Sequence, residues 1–173
     1  MTVQSSGSFT MNGGTISGNK ASNHCGGVYV TGDSSFTMTG GTITGNTAAA
    51  GYYGGGVYVT GNNSSFTMTG GTISDNKASL GGGVYFNNGN VCLGGDAKIT
   101  GNTGAYEENN LYLKDKQTVT VGTGDNLPKD GMNIGVTTYR TEAPIAITTN
   151  GTAADVKYFR SDKSEYLVYL TVL

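Results

Sequence analysis

The residues able to do chemistry in this chain are few and widely separated. The first 90 residues hold only two carboxylates, Asp33 and Asp75, and only Lys20 and Lys77 as cationic side chains. Lyase or hydrolase chemistry on acidic sugars needs carboxylates clustered for calcium or for acid and base work, with Arg or Lys beside them. Asp33 and Asp75 fall at different points of their sequence units, and both arginines, Arg140 and Arg160, lie after residue 117. Glu107 and Glu108 are adjacent, so on a strand they would face opposite ways. No catalytic residue is assigned, and the chain is expected not to be an enzyme. His24 beside Cys25 offers two metal ligands without a second pair, which is too little for a closed site, so no metal or cofactor is expected. Cys25 and Cys92 sit on different parts of their units, more than about 10 Å apart by strand spacing. A disulfide needs Cα atoms within about 7 Å, so both thiols are expected to be free.

Aromatic and hydroxyl side chains form the other candidate sites. Tyr29, Tyr58, Tyr85 and Tyr112 recur at one outward position and form a candidate column. A neighbouring connection of variable length carries His24, Tyr52, Tyr53, Leu80 and Tyr106. Exposed aromatic rings stack on sugars or anchor a partner, and insertions in a repeat protein often mark its binding face. These residues are therefore the candidate ligand-binding set, for a glycan or a host protein. The plain alternative is that the tyrosines only stack on one another and shield the sheet. A third pattern, Thr15-Ile-Ser17, Thr42-Ile-Thr44, Thr72-Ile-Ser74 and Lys98-Ile-Thr100, resembles the Thr ranks of ice-binding surfaces. Lys98 interrupts it, and Thr is also simply a good outward strand residue.

The elements that must position these residues are repeats. SFTMTGGTITGN at Ser35 to Asn46 returns as SFTMNGGTISGN at Ser8, SFTMTGGTISDN at Ser65 and NVCLGGDAKITGN at Asn90. A second phrase follows each: CGGVYV at Cys25, GGGVYV at Gly54, GGGVYF at Gly81 and the eroded NNLYL at Asn109. Phe9, Phe36 and Phe66 are 27 and 30 residues apart, and Ile73 and Ile99 are 26 apart. Phe-Thr-Met alternates apolar and polar as a half-buried strand does. A Gly-Gly turn, a short strand with one inward Ile (Ile16, Ile43, Ile73, Ile99) and a third strand with inward Val28 and Val30 or their equivalents complete the unit. Three short strands cannot bury a core alone, so the units must stack, with equivalent residues about 4.8 Å apart. Asn19, Asn46, Asn76 and Asn102 then share one corner, where each amide can bond the next. The expected fold is all-β: a parallel β-helix of about four repeat coils, starting near residues 9, 36, 66 and 91. It is expected to be right-handed, as strand crossovers generally are. A β-propeller is disfavoured, because each blade would need about 40 residues.

Composition agrees. Gly supplies 30 of 173 residues and charged residues only 13%, yet the apolar residues keep fixed places, which disorder would not require. Net charge is −2 with no basic patch, so nucleic acid is not an expected partner. No run approaches the roughly 20 apolar residues of a membrane span, and Met1 is not followed by an export signal. MTVQSSGSF matches VYVTGDSSF at Val28 to Phe36, so the chain is expected to begin inside the last strand of a preceding repeat, as a fragment of a longer protein. After Gln117 the vocabulary changes to strand-like runs near Thr118, Met132, Ile145, Val156 and Tyr166. Residues 118–173 are read as a β-rich cap on repeats spanning 1–117. Whether that cap continues the coil or forms a small sheet stays open at this level. Exposed end coils make end-to-end or edge association plausible.

The units Ser8 to Asn19 and Gly55-Gly-Val-Tyr-Val59, with Asn133-Ile-Gly-Val-Thr-Thr138 and Tyr158-Phe-Arg-Ser-Asp162 after them, resemble the right-handed β-helix repeats of adhesin-like surface proteins from gut and oral anaerobic bacteria. The resemblance covers nearly the whole chain. It implies an exported, extracellular, envelope-attached stalk or adhesive segment, and it supplies no catalytic motif. A carbohydrate-active β-helix enzyme, lyase-like or hydrolase-like, is the alternative from another class.

Overall fold

The computed structural model describes residues 1–115, 117–138 and 150–163. Three rows of short parallel strands wind around a common apolar interior. In the first row Ser8–Met11, Ser35–Met38, Ser65–Met68, Asn90–Leu93 and Thr120–Val121 form a five-stranded parallel sheet. Its register places Phe9, Phe36, Phe66 and Val91 in one column and Met11, Met38, Met68, Leu93 and Val121 in the next. The second row stacks Ile16, Ile43, Ile73, Ile99 and Ile134. The third stacks Val3, Val30, Val59, Phe86 and Leu113, with Val28, Val57, Val84 and Leu111 beside them. The period of two explains why each strand sends its apolar residues inward. Phe36 and Phe66 are wholly buried, and the Phe9, Phe36 and Phe66 rings stack at 5.1 and 5.0 Å. Each fully buried Phe stabilises the fold by roughly 1.5–3 kcal/mol relative to an exposed one.

The repeated Gly-Gly before the third row answers a steric demand. A Cβ at Gly56 would lie 2.6 Å from the carbonyl oxygen of Gly83 in the next coil. Beside this approach, with the Asn76 amide nitrogen 3.0 Å from that Cβ position, the Asn ladder runs along the axis. Asn46 Oδ1 accepts from the Asn19 amide side chain at 2.7 Å, Asn76 Oδ1 from Asn46 at 3.0 Å and Asn102 Oδ1 from Asn76 at 2.9 Å. Asn46, Asn76 and Asn102 are wholly buried, so their amides take the place of water for the backbone at the bend.

The winding continues past Gln117. Thr120 and Val121 extend the first row, and Asn133–Thr138 extends both others, pairing with Lys98–Ile99 at one end and Leu111–Leu113 at the other. The corner connection is omitted in that coil, and one strand spans two faces. Phe159–Ser161 then pairs with it in parallel, setting buried Phe159 beside Ile134. The run near Val156 is a 3-10 turn, Ala153–Tyr158, rather than a strand. Asp155 accepts from both the backbone N–H and the hydroxyl of Thr152, a local arrangement that starts a helical turn. The runs near Ile145 and Tyr166, and Arg140, lie outside the described residues.

Candidate functional site

The connection between the Asn corner and the third row places the aromatic residues. It differs in length from coil to coil, and it folds back over the outward face of the third row. Residues Tyr53 and Leu80 bridge in parallel, Ser79 donates its backbone N–H to the Tyr52 carbonyl, and Ala105 donates to the Ser79 carbonyl. His24, Tyr52 with Tyr53, Ser79 with Leu80, and Ala105 with Tyr106 therefore follow one another along a single edge of the helix.

The tyrosine column lies beneath that edge, and here the structure corrects the expectation of an exposed aromatic platform. Tyr58, Tyr85 and Tyr112 are only 8%, 5% and 5% exposed, and Tyr29 is half-buried. With buried Cys25 they form a second apolar cluster, covered by Tyr53 and Leu80. Centroid distances are 5.2 Å for Tyr29 and Tyr58, 5.1 Å for Tyr58 and Tyr85, and 5.2 Å for Tyr85 and Tyr112. Tyr53 stacks on Tyr85 at 4.6 Å. The cause is the covering connection, which turns an outward face into a second interior. Burial raises the Tyr85 and Tyr58 phenols, with neighbouring tyrosines adding to the effect. Burial also pushes the Cys25 thiol up to about 12, and its Sγ lies 3.8 Å from the Gly56 carbonyl oxygen. Cys25 and Cys92 are both free thiols.

Among the described residues two aromatic rings remain at the surface. Tyr52 is 36% exposed and Tyr106 fully so. His24 supports the first: its ring meets Tyr52 edge-on at 4.9 Å and also lies 5.1 Å from both Tyr53 and Tyr58. His24 Nδ1 accepts the Tyr53 backbone N–H at 3.2 Å, which leaves the proton of the neutral ring on Nε2. Desolvation lowers its pKa, favouring that neutral form. The edge can offer flat apolar rings and a ring N–H donor, a combination suited to stacking and hydrogen bonding.

Glu108, Arg160 and Asp162 are engaged in the fold. Arg160 donates to Glu108 at 2.5 Å, and that bond holds the Glu108 carboxyl below its usual range. Asp162, whose side chain is wholly buried, accepts from the Asn110 backbone at 2.6 Å, the Asn110 amide at 2.7 Å and the Thr137 hydroxyl at 2.9 Å. Burial raises its carboxyl against the opposing effect of those bonds. Sequence reasoning did not single out Asn110 or Asp162. Asn110 immediately precedes the strand Leu111–Leu113, as Gly83 precedes Val84–Phe86; that replacement of Gly by Asn was the available signal.

The Thr-x-Thr ranks are in register, Thr15 with Thr42, Thr72 and Lys98, and Ser17 with Thr44 and Ser74. Asp75 hydrogen-bonds both Thr44 and Ser74 and so breaks the hydroxyl pattern. Among the described residues no group of three or more His, Cys, Asp or Glu is placed to hold a metal ion, and no helix is long and apolar enough to cross a membrane.

A family model described as right-handed beta helix region matches residues 2–150. No curated protein and no solved structure matches the chain.

Proposed function

This chain belongs to the right-handed β-helix family, and within that family we propose that it is a non-enzymatic stalk segment of a bacterial surface protein that binds glycan along one aromatic edge. The observation that carries this reading is the pair of surface rings, Tyr52 and Tyr106, on one side of a solenoid whose other aromatic side chains, among the described residues, are largely packed away. A sugar ring presents an apolar face of C–H groups, which a tyrosine ring covers, while its hydroxyls take hydrogen bonds from neighbouring donors. His24 Nε2–H and the Tyr52 hydroxyl are the donors closest to hand. Stiffness follows from the continuous interior columns, which let a coil displace only by breaking contacts with both neighbours. The likeness of the repeats to adhesin-like surface proteins supports extracellular display. Glu108, Arg160 and Asp162 hold the end coil together, and this favours a structural over a catalytic role for them.

The experiment is a glycan and mucin array, with host matrix proteins as a second panel. It compares the unaltered chain with a variant carrying Tyr52→Ala and Tyr106→Ala. Tyr53 is left in place because it covers Tyr85. Glycan binding lost in the variant, with its circular dichroism unchanged, is the expected result. Binding retained by the variant, binding to the protein panel alone, or turnover of a polysaccharide would overturn it.

A further inference from the structure

The edge that carries Tyr52 and Tyr106 also carries positive charge. Lys20 and Lys77 are the only Lys or Arg side chains of the first 90 residues. Parallel pairing sets both in one column, with Lys20 beside Thr47, Thr47 beside Lys77 and Lys77 beside Thr103. That column opens the same connections that go on to His24, Tyr52, Ser79 and Tyr106. Lys77 and Ser79 flank buried Ala78, so they leave the chain on the same side. Both lysines are exposed, and among the described residues no ion pair engages either ammonium. The neighbouring carboxylates have other partners: Asp75 accepts from the Thr44 and Ser74 hydroxyls, and Glu107 pairs with Lys163 at 3.3 Å.

Cation and aromatic ring alternate from coil to coil. The coil that begins at Ser8 supplies Lys20, the next supplies Tyr52, the third Lys77 and the fourth Tyr106. Each kind therefore recurs every second coil, an advance of about 10 Å along the axis at two strand spacings. His24 lies on the first coil against Tyr52, with its Nε2–H as a further donor.

We propose that the glycan taken by this edge is an extended acidic polysaccharide in which a hexuronate alternates with a neutral sugar, lying along the helix axis with its carboxylates at Lys20 and Lys77 and its neutral rings against Tyr52 and Tyr106. This rests on the glycan reading of the edge given above. An extended β-linked chain advances by close to one coil spacing per sugar, so its two-sugar repeat matches the two-coil repeat of the edge. A carboxylate on every sugar would press anions against the negative faces of the tyrosine rings. A neutral chain would leave both ammoniums without a counter-charge.

The test titrates three hexasaccharides into the full chain: hyaluronan, in which glucuronate alternates with a neutral sugar, oligogalacturonate, acidic at every sugar, and cellohexaose, which is neutral. Hyaluronan is expected to bind about fivefold more tightly than either of the others, the worth of two exposed ion pairs, and to lose that advantage as salt is added. A variant carrying Lys20→Gln and Lys77→Gln, both at exposed positions, is expected to lose about the same factor for hyaluronan and nothing for cellohexaose. Equal affinity for hyaluronan and either comparison sugar, or unchanged hyaluronan binding by the Lys variant, would overturn the proposal. Cellohexaose binding that matches hyaluronan and is lost only with Tyr52→Ala and Tyr106→Ala would refute the acidic class while leaving the glycan edge standing. Absence of binding to all three sugars overturns the proposal as well, and the glycan array then decides the edge separately.

Discussion

Replacing Asn76 by Ala tests whether the corner ladder holds the coils together. The Asn76 amide donates to the Ile43 and Ser74 carbonyls, at 2.9 Å each, and to Asn102 Oδ1, while its oxygen accepts the Asn46 backbone N–H at 2.9 Å. The side chain is wholly buried between two coils. Truncation orphans the Asn46 N–H, which costs roughly 1–3 kcal/mol when buried without a partner, and removes the amide bonds to the Ile43, Ser74 and Asn102 oxygens. The expected loss is about 2–3 kcal/mol, or a fall in Tm of about 7 °C for a chain of this size. Asn19→Ala is the internal comparison. Asn19 is exposed, and Asn46 Oδ1 keeps the backbone N–H of residue 19 after truncation, so its expected cost is below about 1 kcal/mol. Urea unfolding followed by circular dichroism measures both, with m-values compared to show that the same cooperative unit unfolds. Equal costs for the two substitutions would refute the reasoning, because burial between coils is what separates them.

Gly56→Ala is expected to destabilise by more than 2 kcal/mol, on the order of an overpacked core, because its Cβ meets a neighbouring carbonyl that cannot swing aside; Gly13→Ala, facing open space, should change urea stability by less than about 0.5 kcal/mol. The Glu108 and Arg160 pair links stability to acid. Glu108 is held below its usual range in the folded state, so its contribution is complete above the unfolded value of about 4.3 and is lost as pH falls through the folded value. Both partners are more than a third exposed, so the contribution is about 0.5 kcal/mol and shrinks in salt; a Glu108→Gln variant whose stability tracks the unaltered chain across pH 2–6 would contradict this.

Where a side chain repeats at a fixed place, its role was legible. The Phe, Met, Ile and Val columns and the Asn corner follow from alternation and recurrence, since one stacked geometry satisfies every unit at once. Positions outside the repeat were not legible in that way. Tyr58 and Tyr112 look alike in sequence to any outward strand residue, and only the connection carrying Tyr53 and Leu80 makes their column an interior. Tyr52 and Tyr106 stand out at the surface because that same connection covers their neighbours.

Sequence alone determined the rung: which residues face inward, where the chain bends, and that coils must stack in parallel. These are local facts, set by the two-residue period of a strand and by what a short strand cannot bury unaided. Tertiary structure alone decided how the later coils are tied together. Asn133–Thr138 runs across the corner, and Asp162 terminates the ladder by reaching Asn110, 52 residues earlier. Such pairings occur once, join residues distant in the chain, and depend on where the last coil leaves a buried donor to be satisfied, so no spacing in the sequence announces them.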